Sequence, residues 1–162
     1  MNPINLGYVN RLSPYKVWTE NGRDFYIETD RGNLFKVGFM DDYSIWDTGA
    51  YQFTIHNEGS RPSPNDSKLK FTLFRLIEAF FDTNPDILLY ICETGDDKQQ
   101  LRNKLFVRWF NSYSLRENYV FRTVEIMDGD TLNLAALIVQ KSHARLNEIL
   151  QEFDETISML QK

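Results

Sequence analysis

The chain has 162 residues, a length that fits one domain with one hydrophobic core. Its hydrophobic fraction of 42% and charged fraction of 25% are those of an ordinary globular protein, which excludes a disordered chain. The net charge of −5 argues against nucleic acid as the main partner, because domains that bind duplexes usually carry a basic surplus.

The sequence shows no signal for export or for a membrane. The first residues have neither the basic start nor the apolar run of a secretory signal. No stretch approaches the roughly 18 apolar residues that a membrane span needs. Cys92 is the single cysteine, so no disulfide can form within the chain. We therefore expect a cytoplasmic protein that does not contact a membrane.

The first half of the chain predicts an antiparallel meander of three or four strands. Asn21-Gly22 separates residues 15–20 from 24–29, and both segments are rich in β-forming residues. An Asn-Gly pair in that position is the strongest short hairpin signal, because both residues tolerate positive φ. Further strands are predicted over residues 34–40 and 51–56.

A loop over residues 57–67 ends in helix-capping residues, and the apolar spacing then predicts a helix over 68–82. Asn84-Pro85 ends that helix. The continuous apolar run over residues 87–92 predicts a strand that is covered on both faces.

A second helix is predicted over residues 97–113, where Asp96 and Gln99 resemble a capping box. Strands over 119–127 and 132–140 flank a turn at Asp128-Gly129-Asp130. The second of these strands is predicted to be a central strand of the sheet. A last helix is predicted over 143–160.

The predicted fold class is α+β. A single mixed sheet begins with the N-terminal meander and continues as α-β-α-β-β-α, with the helices packed on the sheet. The whole of residues 1–162 is predicted to form one domain. The apolar stripe of the last helix has the spacing of a short coiled coil, but it favours packing on the sheet.

The candidate ligand site is the acidic loop that leaves the buried strand and leads into the second helix. The crevice beyond the carboxyl end of a strand is where open α/β sheets tend to bind ligands. Glu93, Asp96 and Asp97 occupy this loop and would repel a phosphate. The alternative is that Asp96 and Asp97 only cap the helix and complement its dipole.

Arg102 falls inside the predicted apolar face of the second helix. A guanidinium among apolar side chains needs a carboxylate or several carbonyl groups, since an unpaired buried charge is very costly. Glu93 is the nearest acidic candidate. Two interpretations stay open: a structural ion pair, and a recognition site for a carboxylate or a phosphate.

No assembled catalytic or metal-binding signature is present in the sequence. His56 and His143 are the only histidines and have no partners at ligand spacing, so no metal site is predicted. There is no P-loop, nucleophile elbow or dinucleotide fingerprint, and we expect no cofactor. Trp18 and the loop from Tyr43 to Trp46 are candidates for exposed aromatic contacts with a partner.

A string of residues after the first helix resembles a family of small proteins of unknown function that is frequent in Bacteroidota. The string comprises Tyr90-Ile91-Cys92-Glu93, Asp97, Gln99, Arg102, Leu105-Phe106 and Trp109-Phe110. With the meander and the Phe80-Phe81 helix end, the resemblance covers nearly the whole chain. Glu93 stands where that family more often has Asp. The resemblance implies no known activity.

The order of the predicted elements also resembles the core of the N-acetyltransferase fold. In that fold, the loop after the fourth strand holds the pyrophosphate of acetyl-CoA through a Gln/Arg-x-x-Gly-x-Gly/Ala pattern. The corresponding loop here has Gly59 and Arg61 but lacks the pattern, and its prolines remove amide donors.

Two hypotheses follow from the sequence. The first is a non-catalytic binding or regulatory module whose partner is a protein or a small anionic ligand. The second is an acetyltransferase-like enzyme, possibly degenerate, that binds an acyl-CoA or another anionic ligand near Arg61 and the loop from Glu93 to Asp97. The sequence leaves open whether the protein is an enzyme.

Overall fold

The computed structural model describes residues 1–59, 65–91, 99–113 and 116–161, except the side chains at 91, 99–104, 116, 128, 131 and 132. The chain divides into two compact units, and each is described by itself. The first unit comprises Met1–Met40 and Phe53–Pro85. The second unit comprises Asp41–Gln52 and Asp86–Lys162.

Within the described residues the chain forms four α-helices, one short 3-10 helix and seven strands. The α-helices are α1 (Leu6–Leu12), α2 (Ser67–Thr83), α3 (Gln99–Asn111) and α4 (Leu146–Leu160), and the 3-10 helix is Arg116–Asn118. The strands are β1 (Val17–Thr19), β2 (Asp24–Glu28), β3 (Leu34–Asp41), β4 (Ala50–Asn57), β5 (Ile87–Ile91), β6 (Tyr119–Asp128) and β7 (Thr131–Gln140).

The strands form one mixed sheet in the order β1-β2-β3-β4-β5-β7-β6. The pairs β1–β2, β2–β3, β5–β7 and β6–β7 are antiparallel. The Ile87 N–H donates to the Gly49 carbonyl, which places the start of β5 beside the start of β4, as in a parallel pair. The predicted α+β class, the meander and the central position of β7 are confirmed.

A helix that was not predicted from the sequence precedes the predicted meander. The Asn5 side chain accepts a hydrogen bond from the Tyr8 N–H at 3.1 Å and caps α1. In the last turn, the Asn10 side chain bonds both the N–H and the carbonyl of Val17. These bonds occupy backbone groups at the outer edge of β1, which would otherwise be open to pairing.

Both predicted hairpins form, and in each a glycine takes the left-handed conformation. Gly22 has φ +73° and Gly129 has φ +61°. Asn21 does not take positive φ, contrary to the basis of the prediction for the first turn. Its side chain instead accepts hydrogen bonds from the N–H groups of Arg23 and Asp24, both at 2.8 Å.

Phenylalanine builds the core of the first unit. Phe39 packs against Phe53 and Phe80, with ring centroids 5.3 Å apart in both cases. Phe80 also meets Phe81 edge to face at 5.1 Å. Because Phe80 belongs to α2, this helix covers the face of the meander on which Phe39 lies. Helix α2 has its predicted bounds to within one residue, and it ends before Asn84, which is fully buried.

The sheet of the second unit is covered on both faces. On one face, Leu137 and Val139 of β7 pack in a cluster with Phe153 of α4. On the other face, Phe106 and Phe110 of α3 contact Phe121 of β6. The predicted packing of α4 on the sheet is confirmed, although α4 starts three residues later than predicted and Leu160 at its end is 58% exposed. The buried strand predicted after α2 is confirmed as β5.

Candidate functional site

Most of the residues predicted to bind a ligand lie outside the described part of the chain. Arg61, Glu93, Asp96 and Asp97 are among them. Arg102 lies in the first turn of α3, but its side chain is outside the described part as well. The ion pair between Arg102 and Glu93, and the alternative recognition site, therefore stay predictions.

The helix that follows the loop of Arg61 is capped by the protein's own carboxylate. Asp66 Oδ1 accepts hydrogen bonds from the N–H groups of Lys68 at 2.9 Å and Leu69 at 3.2 Å. The buried Tyr15 hydroxyl donates to Asp66 Oδ2 at 2.6 Å. Burial, together with this bond, raises the pKa of Tyr15 to about 12. The amides of the first turn of α2 that could bind an anion already have an internal acceptor.

The histidines are far apart in the sequence and have different surroundings. His56 is exposed on β4. His143 precedes α4, is half-buried, and accepts a hydrogen bond from the Arg145 N–H through Nδ1 at 3.0 Å. Within the ranges that the structure describes, no cluster of three His, Cys, Asp or Glu residues could hold a metal ion.

The outer face of the meander combines aromatic and charged side chains. No helix in the described part of the first unit packs on it. We define it by the residues of β1–β4 that point away from Phe39 and α2. In the register between the strands, Trp18 is directly opposite Tyr26, and Tyr26 is directly opposite Lys36. These three residues form one row across the outer face. Asp24 is opposite Gly38 in the next row. Side chains that are directly opposite lie on the same face of a sheet.

Trp18 and Tyr26 form a stacked pair on this outer face. Their ring centroids are 5.9 Å apart and their planes differ by 26°. Both side chains are half-buried, whereas Phe25 and Ile27, which point to the inner face, are almost completely buried. Met40, farther along the outer face, is 53% exposed. The outer face therefore carries partly exposed apolar surface.

Two oxygen atoms converge over Gly38 in the second row. A Cβ placed on Gly38 would lie 2.7 Å from Thr54 Oγ1 and 3.2 Å from Asp24 Oδ1. No real side chain could stand there without displacing them. Gly38 is thus the residue that lets a hydroxyl from β4 and a carboxylate from β2 approach each other above β3.

The aromatic residues named as candidate contacts differ in how far they are buried. Trp46 is buried in the core of the second unit, and its indole N–H donates to Glu152 Oε2 of α4 at 2.5 Å. Tyr43 is 70% exposed, beside a turn in which Asp42 accepts from the Ser44 N–H. Trp18 is half-buried on the outer face.

Sequence reasoning did not identify the outer face, although the signal is present. In β2, Phe25 and Ile27 alternate with Asp24, Tyr26 and Glu28, which is the pattern of a strand with one covered face. The strand was predicted from the Asn21-Gly22 turn and its β-forming residues, whereas this alternation also predicts which side chains share the outer face.

A family model matches residues 65–155, from the cap of α2 into α4 and across more than half of the chain. The chain belongs to a family of unknown function, DUF6169. The matched part includes α2, α3, β5–β7 and α4 as far as Glu155, but not the meander. No curated protein and no solved structure matches the chain. In the described part of the chain, no helix has both the length and the apolar character needed to cross a membrane.

Proposed function

We propose that this member of DUF6169 is a non-catalytic binding or regulatory module of the bacterial cytoplasm, and that a protein partner docks on the outer face of its meander. The observation that carries the proposal is the open face of β1–β4 with its stacked Trp18–Tyr26 pair. In the first unit, α2 packs on the opposite face, where Phe39 stacks on Phe80. That no described helix of the first unit packs on the outer face supports docking there.

The composition of the outer face supports a protein partner. Tryptophan, tyrosine and methionine are enriched at protein interfaces, and aromatic residues often contribute most of the binding energy. Trp18, Tyr26 and Met40 supply these residue types, while Lys36 and Glu28 supply charges of both signs. A partner with mixed polar and apolar side chains suits this surface better than a purely anionic ligand does.

Photo-crosslinking tests the proposal in living cells. A photoreactive phenylalanine analogue replaces Tyr26 in one variant and Glu155, which is exposed on α4, in the control variant. We expect a discrete crosslinked product from position 26 only. Products of equal yield from both positions, or none from position 26, would contradict the proposal.

The acetyltransferase-like alternative places an acyl-CoA near Arg61 and the loop from Glu93 to Asp97, which lie outside the described residues. In the structure, the N–H groups of Lys68 and Leu69 donate to Asp66, so they are not free for a phosphate. Thermal unfolding with acetyl-CoA separates the two functions. A ligand at 100 times its Kd stabilises a protein by about 2.7 kcal/mol, and we expect no such shift. A saturable shift would support the alternative.

A further inference from the structure

We infer that the partner inserts a lysine side chain into the outer face, where Asp24 and Thr54 hold its ammonium group. This inference rests on the proposed docking face and specifies its chemistry. The oxygens that converge over Gly38 are both able to accept a hydrogen bond. One of them belongs to a carboxylate, so the group that fits between them is a positively charged donor.

The carboxylate oxygen that faces this place is available. Asp24 Oδ2 accepts a hydrogen bond from the Asn21 side chain at 2.9 Å, which holds the carboxylate in position. In the described ranges, no group donates to Asp24 Oδ1, and no ion pair joins Asp24 to Lys36. The Asp24 carboxylate therefore has one oxygen that Asn21 anchors and one oxygen that receives no hydrogen bond among the described residues.

An ammonium group fits this geometry better than a guanidinium group. Lysine carries a compact charge with three donors that can reach two oxygens converging from different strands. Arginine is recognised best by two oxygens of one carboxylate or phosphate in a plane, and Asn21 already occupies one oxygen of Asp24.

The aromatic pair supplies the surface for the stem of the lysine. Tyr26 follows Asp24 by two residues on β2, so the two side chains lie on the same face roughly 7 Å apart. Trp18 stacks on Tyr26. The methylene groups of a lysine that reaches Asp24 can pack on these rings, and the charge gains from the ring faces.

Lys36 opposes the incoming charge. It is directly opposite Tyr26 on β3 and two residues from Gly38, so it lies on the same face of the sheet as Asp24. His56 is also on the neighbouring strand β4. Removing the positive charge of Lys36 should therefore strengthen binding of the lysine, whereas removing the negative charge of Asp24 should weaken it.

The test is an NMR titration of the full chain with Nα-acetyl-lysine amide, using Nα-acetyl-norleucine amide as the probe without charge. We expect the lysine probe to shift the signals of the Gly38 amide and the Trp18 indole, and the norleucine probe to leave them in place. Asp24→Asn should weaken the lysine probe about tenfold, as expected for loss of a hydrogen bond to a charged group. Lys36→Gln should bind it more tightly than the parent chain does.

Equal shifts from both probes would overturn the inference, and so would an unchanged Kd in Asp24→Asn. Asparagine has the shape of aspartate and can still bond Asn21, and the spectrum of the free variant shows directly whether it is folded. If the lysine probe does not bind, the inference about lysine is wrong, whereas the crosslink from position 26 still tests the docking face independently. If the lysine probe binds over Gly38 but the crosslink forms only at another position, the proposed docking of the partner on the outer face would be wrong.

Discussion

The first unit covers one face of its strands with helices, whereas the second unit covers both. In the first unit, Phe39 lies against Phe80 of α2, but Trp18 and Tyr26 on the other face meet no helix of that unit. In the second unit, Val139 packs with α4 on one face and Phe121 packs with α3 on the other. The difference is the basis for proposing that a partner docks on the first unit.

The same difference is visible in how the strands are composed. In β2, buried residues alternate with half-buried or exposed ones, while Ile87, Leu88, Leu89 and Tyr90 of β5 are all buried. Alternation is characteristic of a strand with one wet face, and a continuous apolar run is characteristic of a strand covered on both faces. The alternation in β2 therefore indicates, from the sequence, that one face of this strand is open.

The covered face of the first unit should be the most sensitive to truncation. Phe80 is completely buried between Phe39 and Phe81. Phe80→Ala should lower the free energy of unfolding by about 3–5 kcal/mol, measured by urea denaturation, because it removes a large ring and leaves a cavity. Phe71 on the same helix is 46% exposed and provides the control. A loss in Phe71→Ala as large as that in Phe80→Ala would mean that the inner face is assigned wrongly.

The second unit has a corresponding prediction that rests on the sequence alone. If Arg102 is buried against a carboxylate, Arg102→Ala should cost about 3 kcal/mol or more, because it leaves a buried charge unpaired. Arg108 is exposed on the same helix, so Arg108→Ala serves as the matched control. A change near zero in both variants would show that Arg102 is solvated.

Two glycine-to-alanine substitutions test whether oxygen atoms fill the space over Gly38. A methyl group there would meet Thr54 Oγ1 at 2.7 Å, so Gly38→Ala should destabilise the protein by about 1–3 kcal/mol. Gly7 in α1 has its nearest contact at 3.4 Å, and Gly7→Ala should stabilise the protein by roughly 0.5–1 kcal/mol. Thermal unfolding of the two variants should give shifts of opposite sign. Equal shifts would show that Asp24 and Thr54 do not converge over Gly38.

Alkaline pH should weaken the first unit through Tyr15. Burial raises the pKa of Tyr15 from 10.0 to about 12, so the folded state favours the neutral phenol. This contribution to stability is complete below pH 10 and is lost as the pH rises through 12. Tyr15→Phe should therefore flatten the decline in stability between pH 10 and pH 12, whereas Tyr43→Phe, at an exposed position, should leave it unchanged. An unchanged decline in Tyr15→Phe would argue against the buried bond to Asp66.

Turn signals and apolar patterns predict most of the fold but not its first helix. The Asn21-Gly22 turn with its β-forming neighbours predicts the meander, the continuous apolar run predicts β5, and the helical spacing of apolar residues predicts α2. Helix α1 has seven residues, includes Gly7 and Asn10, and buries only Val9, so it has almost no periodic signal. It is stabilised by the Asn5 cap and by the bonds of Asn10 to Val17, which are visible only in the structure.

The candidate site was harder to predict than the fold. Charged residues in a loop after a buried strand, such as Glu93 and Asp97, can be named as a candidate site from the sequence alone, and that site stays a prediction. The pair above Gly38 depends on three strands, because Asp24, Gly38 and Thr54 meet only through the register of β2, β3 and β4. Register between strands is set by turns and packing, so the sequence of any one strand does not contain it.

Oxidative footprinting in cells and on the purified protein tests the central claim most directly. Trp18 and Met40 lie on the outer face, while Met127 and Met159 are exposed elsewhere, at 58% and 67%. We predict that Trp18 and Met40 are oxidised less in cells than in the purified protein, and that Met127 and Met159 are oxidised equally in both. Protection of Met127 and Met159 with no change at Trp18 and Met40 would contradict the account.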